Sequence, residues 1–174
     1  PVRLDEIIAH LARALPEGAI VCNGAGAYAA TLHRHFVYRA YPSQLAPASG
    51  TMGYGLPAAI AAKLAFPDKP VIALAGDGCL QMTSQELATV AQLDLPLIVI
   101  VANNGALGTI KDAQLARSPQ RLVATTLVNP DFVALARSYG FKACKVSATS
   151  QFAGILEKAL ALDTPALIEL DLTQ

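Results

Sequence analysis

Two stretches decide the fold of this chain, VIALAGDG at residues 71–78 and LIVIVANN at residues 97–104. Each stretch begins with at least five apolar residues and ends in residues that are typical of turns. A strand that is apolar on both faces belongs in a parallel sheet with helices on either side. We therefore predict that Val71–Ala75 and Leu97–Ala102 are the central strands of such a sheet.

Short apolar runs alternate with longer segments of helical spacing along the rest of the chain, which is typical of a parallel α/β sheet. The other predicted strands are Ala19–Cys22, Phe36–Arg39, Lys142–Val146 and Ala166–Leu170. Helices are predicted at Leu4–Leu15, Leu56–Phe66, Asp131–Tyr139 and Ser150–Leu162. Thr83 and Glu86 form a capping-box pattern, which predicts a further helix that begins there and ends before Pro96. The segment Arg117–Asn129 has no clear period and is predicted to be irregular. The predicted fold class is α/β, a three-layer αβα arrangement with a mainly parallel sheet of about six strands, in one domain over residues 1–174.

The composition excludes several classes of protein. The chain has 174 residues, of which 53% are apolar and 15% are charged, and this suits one packed domain and excludes disorder. The apolar run Leu97–Ala102 is far shorter than the roughly 18 to 20 residues of a membrane span. Thirteen basic and thirteen acidic residues cancel, so we expect neither nucleic acid nor a membrane as a partner.

The cysteines and histidines show no pattern of a disulfide framework or a zinc site. Cys22, Cys79 and Cys144 are odd in number and far apart, which favours reduced thiols. His33 and His35 point in different directions on a helix and do not form a zinc pair. The first residues have no signal-peptide pattern, and we expect a cytoplasmic protein.

Three polar, glycine-bearing turns follow three of the predicted strands. They are Asn23-Gly24-Ala25-Gly26, Gly76-Asp77-Gly78 and Asn103-Asn104-Gly105. In open parallel sheets, ligands bind beyond the carboxyl ends of the strands, where loops converge and helix N-termini point outward. The sequence therefore predicts that these three turns form one ligand site.

The first of these turns has two interpretations. Residues 24–29, Gly-Ala-Gly-Ala-Tyr-Ala, fit the dinucleotide fingerprint G-x-G-x-x-G/A after a strand and before a helix. A nicotinamide or flavin site also needs an acidic residue about 20 positions later, but none occurs between Glu17 and Asp68. Contact with a phosphate group is the broader hypothesis for this turn.

The other two turns together indicate a magnesium site. Asp77 lies between two glycines at the tip of a strand, and a buried carboxylate without a nearby cation is costly. The amide oxygens of Asn103-Asn104 lie at the same edge of the sheet, and a carboxylate with amide and carbonyl oxygens suits Mg²⁺ that also binds phosphate oxygens. Taken singly, Gly-Asp-Gly is also an ordinary turn and Asn-Asn an ordinary helix cap. Their joint placement predicts a magnesium and diphosphate site.

The spacing of these turns resembles the thiamine diphosphate motif. That motif begins with GDG and ends with NN, and here 24 residues separate Gly76-Asp77-Gly78 from Asn103-Asn104. Residues 50–59, Gly-Thr-Met-Gly-Tyr-Gly-Leu-Pro-Ala-Ala, are similar to the acetolactate synthase, benzoylformate decarboxylase and oxalyl-CoA decarboxylase group. The resemblance runs from about residue 3 to residue 171 and corresponds to the C-terminal, diphosphate-binding domain of those longer enzymes.

The resemblance implies thiamine diphosphate and Mg²⁺ as cofactors and gives individual residues a role. Mg²⁺ would be held by Asp77, the side chain of Asn104 and the backbone carbonyl of Ala106. The Gly50 carbonyl would accept a hydrogen bond from the aminopyrimidine, and Met52 would lie under the bent cofactor. The implied cofactor-binding residues, which include those at the diphosphate, are Gly24, Gly26, Ala27, Tyr28, Gly50, Met52, Gly76, Gly78, Cys79, Leu107 and Gly108.

In this family the activating glutamate lies in a separate pyrimidine-binding domain, so the resemblance implies that this chain supplies half of an active site and is inactive alone. The implied partners are a pyrimidine-binding domain on another chain or segment, further copies in a homo-oligomer, and a 2-oxo acid substrate for decarboxylation or carboligation. Three origins stay open, namely a split subunit, a fragment, and a catalytically silent binding or interaction module. Ala27 and Leu107 stand where related chains often carry a polar amide and an aromatic residue or Gln.

Overall fold

A computed structural model describes residues 1–173. Within them the elements follow in the order α1 (Leu4–Ala14), β1 (Ile20–Asn23), α2 (Ala27–His35), β2 (Gln44–Leu45), α3 (Gly55–Ala65), β3 (Val71–Gly76), α4 (Asp77–Gln81), α5 (Glu86–Gln92), β4 (Ile98–Asn103), α6 (Gly108–Arg117), α7 (Phe132–Ser138), β5 (Lys142–Val146), α8 (Thr149–Leu160) and β6 (Ala166–Asp171). The strands form one sheet in the order β2-β1-β3-β4-β6-β5, and every neighbouring pair is parallel. The predicted α/β class is confirmed, and β3 and β4 are the central strands.

Helices cover both faces of the sheet, and all residues of β3, β4 and β6 are buried. Crossovers between parallel strands are right-handed, so the direction in which the chain moves along the sheet decides the face on which a helix lies. By this rule α2 and α8 lie on one face, and α3, α5 and α7 lie on the other. The packing agrees, since α1 contacts α2 and α8 while α3 contacts α5. The molecule therefore has three layers, as predicted.

The order of the strands identifies where a ligand is expected to bind. The chain leaves β1 towards one edge of the sheet and leaves β3 towards the other, so a crevice opens between their carboxyl ends. Ligands of open α/β sheets bind at such a reversal. Gly76 pairs with Ala102 and Asn103 pairs with Asp171, so the ends of β3, β4 and β6 lie at the same edge.

The predicted helices form, with shifts of a few residues at their ends. In α1 the side chains of Ile7, Ile8 and Leu11 are buried, as expected for a helix with one apolar face. The Asp131 side chain caps α7 by accepting a hydrogen bond from the Ala134 N–H at 2.9 Å. Gly140 follows this helix with a φ of +86°, a conformation that favours glycine.

The predicted strand Phe36–Arg39 is wrong, because the second strand is β2, which pairs with β1 through Val21 and Gln44. The β-branched and aromatic side chains of residues 36–39 favour extended backbone, but pairing also needs a free neighbouring strand. Here the Arg39 guanidinium donates to the Leu15 carbonyl at 2.6 Å and ties this segment to the end of α1. This edge of the sheet therefore consists of only the two residues of β2, Gln44 and Leu45.

The predicted capping box of Thr83 and Glu86 is also wrong. The Thr83 hydroxyl donates to the Gly53 carbonyl at 3.1 Å, and the Glu86 carboxylate accepts from Thr89 at 2.9 Å. A long-range contact has replaced the local cap, and α5 begins only at Glu86. Helix α6 could not be predicted from the sequence, because none of its residues is buried and it has no apolar stripe. Among residues 1–173, no helix is long and apolar enough to cross a bilayer.

Candidate functional site

The turns after β1, β3 and β4 meet at the carboxyl edge of the sheet and line a cavity of about 320 Å³. All the residues predicted for cofactor or metal binding line this cavity except Gly24, namely Gly26, Ala27, Tyr28, Gly50, Met52, Gly76, Asp77, Gly78, Cys79, Asn104, Ala106, Leu107 and Gly108. Leu4, Thr31 and Leu172 also line it and were not expected from the sequence. The structure thus brings the predicted residues together, and their contacts with a cofactor stay a prediction.

The turn between β1 and α2 requires glycine at two positions. Gly26 has a φ of +143° and its carbonyl accepts the N–H of Ala29 at 3.0 Å, so it starts α2 in a conformation that L side chains rarely adopt. A Cβ on Gly24 would lie 2.9 Å from the Tyr28 hydroxyl oxygen and 3.1 Å from the Cys79 sulfur. Gly26, Ala27 and Tyr28 line the cavity, so the N-terminus of α2 opens onto it and favours a negatively charged group there.

A chain of hydrogen bonds joins this turn to the turn after β3. The Gly24 N–H donates to the Tyr28 hydroxyl at 3.1 Å, this hydroxyl donates to the Cys79 sulfur at 3.2 Å, and the thiol donates to the Ala25 carbonyl at 3.1 Å. Burial, and then the neighbouring Cys79, raise the pKa of Tyr28 well above its usual value. The hydroxyl therefore stays a donor, and the two turns are held against each other.

Asp77 is a buried carboxylate at the edge of the cavity, with 3% of its surface exposed. Its Oδ1 accepts the Gly78 N–H at 2.9 Å, and its Oδ2 accepts the side-chain amide of Asn129 at 2.8 Å. Within residues 1–173, no Lys, Arg or His side chain lies within 4.0 Å of it as an ion-pair partner. Because burial of a charge without compensation is costly, this carboxylate suits a bound cation.

The turn after β4 brings Asn104 and Ala106 to the cavity. Asn104 is exposed there, and its Oδ1 accepts the Ala106 N–H at 3.2 Å. Gly105 makes the turn possible with a φ of +65°. A Cβ on Gly108 would lie 2.9 Å from the Asn104 Nδ2, so glycine leaves the room that this side chain occupies. Amide and carbonyl oxygens of this kind are ligands for Mg²⁺.

The apolar side chains of Met52 and Leu107 line another side of the cavity, and Leu127 lies next to them outside the lining. A Cβ built on Gly78 would lie 2.9 Å from a methyl carbon of Leu107, 3.2 Å from one of Leu127 and 3.4 Å from the terminal carbon of Met52. Three side-chain ends thus converge over a glycine. Gly50 precedes Met52 with a φ of +66° and also lines the cavity. Leu127 was missed from the sequence because residues 118–129 are irregular and have no periodicity.

A polar network lies behind Asp77 and was also missed from the sequence. Asn129 joins Asp77 to Asn103, and Asn103 donates to Glu169 at 2.9 Å. Lys145 lies 3.3 Å from Glu169 and forms a second ion pair, at 3.1 Å, with Asp171. In the sequence, only one pattern indicates this network: acidic residues alternate with leucines at residues 169–172.

The charged groups of this network stabilise one another. Burial acts to lower the pKa of Lys145, but its hydrogen bonds and ion pairs with Asp171 and Glu169 raise it overall. The pKa of Asp171 is lowered, first by a hydrogen bond from Thr173 and then by Lys145, against an opposing effect of burial. Lys145 and Asp171 therefore both keep their charges near neutral pH.

The three cysteines are free thiols, with Cys22 and Cys79 buried and Cys144 half-buried. Burial raises the pKa of Cys22 to about 12 and also raises that of Cys144. Among residues 1–173, no three His, Cys, Asp or Glu side chains are grouped as they would be around a metal ion.

Comparison with known proteins identifies the family. The family model described as "Thiamine pyrophosphate enzyme, C-terminal TPP binding domain" matches residues 24–170. "Probable 2-ketoarginine decarboxylase AruI" of Pseudomonas aeruginosa is 45% identical over 136 residues, which are 77% of this chain and 24% of that protein. "Acetolactate synthase catalytic subunit, mitochondrial" of Aspergillus candidus is 34% identical over 171 residues, 97% of this chain and 24% of that protein.

A solved structure agrees with this result. The thiamine diphosphate-dependent 4-hydroxybenzoylformate decarboxylase of Rhodococcus jostii RHA1 superposes with a TM-score of 0.88 at 32% identity, and the match covers 95% of this chain and 32% of that one. The chain therefore belongs to the family of C-terminal thiamine pyrophosphate binding domains. It spans about a quarter to a third of the length of these relatives. The family supports thiamine diphosphate as the cofactor.

Proposed function

We propose that this chain provides the magnesium- and diphosphate-binding half of the active site of an enzyme that decarboxylates or ligates 2-oxo acids. The observation that carries the proposal is the Asp77 carboxylate, which is 3% exposed, lines the cavity and has no cationic side chain as a partner among residues 1–173. A bound metal ion would balance this charge.

The residues around the cavity fit the metal and the diphosphate. Mg²⁺ would be held by the Asp77 carboxylate, the Asn104 side chain and the carbonyl of Ala106, three oxygen donors that leave room for phosphate oxygens and water. Residues 25–28, which include the N-terminus of α2, would donate N–H groups to the diphosphate, whereas the Gly24 N–H is already bonded to the Tyr28 hydroxyl. Gly26 supports this role because its φ of +143° turns the chain abruptly into the helix.

Thiamine diphosphate, when bound, supplies the electron sink that 2-oxo acid decarboxylation requires. The chain would contribute the shape of the site. Met52 and Leu107 line the cavity and would press against the cofactor and exclude water, and Leu127 packs beside them over Gly78. The Gly50 carbonyl would accept a hydrogen bond from the aminopyrimidine.

The relatives support this substrate class, since they include a probable decarboxylase of 2-ketoarginine, a decarboxylase of 4-hydroxybenzoylformate and an acetolactate synthase. A glutamate from a separate pyrimidine-binding domain would complete the site. Asp77 is the one acidic residue in the described lining of the cavity, and Glu86 lies in the first turn of α5 with its carboxylate bonded to Thr89. The lack of a second acidic residue in the described lining favours half of an active site that needs a partner domain. A binding module without catalytic activity is the second candidate.

An activity assay separates the two candidates. Carbon dioxide release would be measured from pyruvate, 2-ketoarginine and 4-hydroxybenzoylformate with thiamine diphosphate and Mg²⁺, with and without a pyrimidine-binding domain that carries the glutamate. We expect decarboxylation of at least one substrate only with both components, and its loss in Asp77→Asn. Cofactor binding without turnover in any combination would support the silent module.

A further inference from the structure

The Asp77 carboxylate is held at both of its oxygens. The contact at Oδ1 comes from the N–H of the next residue, Gly78, and moves with Asp77 itself. The contact at Oδ2 comes from the side chain of Asn129, which lies 52 residues later in the irregular segment before α7. Asn129 is therefore the contact that ties the direction of this carboxylate to another part of the fold.

The orientation of the Asn129 amide is fixed by its neighbours. Its Nδ2 donates to Asp77 Oδ2 and to Asn103 Oδ1, both at 2.8 Å, and its Oδ1 accepts the side-chain amide of Gln81 at 2.6 Å. A rotation of the amide by half a turn would place its oxygen against two acceptors and its nitrogen against a donor. The nitrogen therefore faces Asp77.

Asn129 is in turn held by a network that ends in charged groups. Asn103 Oδ1 also accepts the Gly105 N–H at 3.2 Å, and Asn103 Nδ2 donates to Glu169, which pairs with Lys145. The network thus connects Asp77 to β4, β5 and β6. Asp77, Asn103 and Glu169 are buried, and satisfied hydrogen bonds between buried groups restrict their geometry.

Asn129 and Asp77 line different cavities. Asn129 lies with Asn103, Lys145 and Glu169 along a second cavity of about 600 Å³, and it is absent from the lining of the cavity that holds Asp77. Asn129 therefore acts on a ligand of the first cavity through Asp77 and not by contact.

We propose that Asn129 is a positioning residue that sets the direction in which the Asp77 carboxylate meets the metal ion, and that it thereby favours Mg²⁺ over Ca²⁺. This inference rests on the proposed function. Mg²⁺ demands near-ideal octahedral geometry with short bonds, whereas Ca²⁺ accepts variable geometry. A carboxylate released from Asn129 would lose more as a ligand of Mg²⁺ than as a ligand of Ca²⁺.

The test measures by calorimetry the apparent affinity of the protein for Mg²⁺ and for Ca²⁺ in the presence of excess thiamine diphosphate. In Asn129→Ala we expect the Mg²⁺ affinity to fall about 10- to 100-fold, as for other residues that orient metal ligands. The Ca²⁺ affinity should fall less, so the preference for Mg²⁺ decreases. Asn129→Leu keeps the branched shape of the side chain without its donor and should behave in the same way if the alanine variant folds poorly.

Gln120→Ala is the matched control, because Gln120 is an exposed amide on the same irregular segment. It should leave both affinities unchanged. Unchanged Mg²⁺ affinity in the Asn129 variants would overturn the inference, and so would an equal fall for both metals, which indicates a purely structural role. A wild-type protein that binds neither metal with the cofactor would instead overturn the proposed function.

Discussion

The Tyr28 hydroxyl links the two turns at the switch between β1 and β3, alongside the hydrogen bond from the Cys79 thiol to the Ala25 carbonyl. It accepts the Gly24 N–H at 3.1 Å and donates to the Cys79 sulfur at 3.2 Å, and Tyr28 is 7% exposed. Tyr28→Phe removes this one oxygen and keeps the ring in the core. The substitution therefore tests the link without opening a large cavity.

The cost of this substitution follows from the groups that lose a partner. The buried Gly24 N–H is left without an acceptor, which costs about 1–3 kcal/mol, and the hydrogen bond to sulfur is weak and adds little. We therefore expect the free energy of unfolding to fall by about 1–3 kcal/mol. For a chain of this size that corresponds to a decrease in Tm of about 2–12 °C.

The assay is urea unfolding followed by far-ultraviolet circular dichroism, in the absence of cofactor. Tyr41→Phe is the matched control, because Tyr41 is 98% exposed. The control should change the free energy of unfolding by less than about 0.5 kcal/mol. Equal stability of the two variants would refute the assignment of the Tyr28 hydroxyl as a link between the turns.

Three glycine substitutions give further predictions. Gly55→Ala should lower the free energy of unfolding by about 1–3 kcal/mol, since its Cβ would lie 3.2 Å from the Leu74 carbonyl oxygen, whose backbone cannot easily move. Gly154→Ala should raise the free energy of unfolding by about 0.5–1 kcal/mol, because Gly154 lies inside α8 with open space around it. Urea unfolding of the two variants checks both predictions. A Gly55→Ala variant as stable as the wild type would contradict the close packing around Gly55. Gly108→Ala would push its Cβ to 2.9 Å from the Asn104 amide nitrogen, so we expect at least about 10-fold weaker Mg²⁺ binding with nearly unchanged Tm, as measured by calorimetry and thermal unfolding. Unaltered Mg²⁺ affinity would show that Asn104 is not a ligand.

The central strands and the ligand edge could be predicted from the sequence because one physical rule covers both. The apolar residues of β3 and β4 require cover on both faces, and parallel strands bring their carboxyl ends to one edge. Asp77 and Asn104 therefore had to lie at the same edge, and both line the cavity.

The errors have a common physical reason, which is that a long-range contact replaced a local preference. Arg39 ties the β-prone segment at residues 36–39 to α1, and the Thr83 hydroxyl bonds to Gly53 where a helix cap was expected. Leu127 and Asn129 lie in a segment without periodicity, so only the folded chain shows their contacts with the site.

The central claim is that Asp77 makes thiamine diphosphate binding depend on a divalent cation. The most direct measurement is a calorimetric titration of thiamine diphosphate into the protein with Mg²⁺ and again with a chelator, for the wild type and for Asp77→Asn. We predict saturable binding of about one cofactor per chain only for the wild type with Mg²⁺. Absence of binding with Mg²⁺, or equal affinity with the chelator or in Asp77→Asn, would contradict the claim.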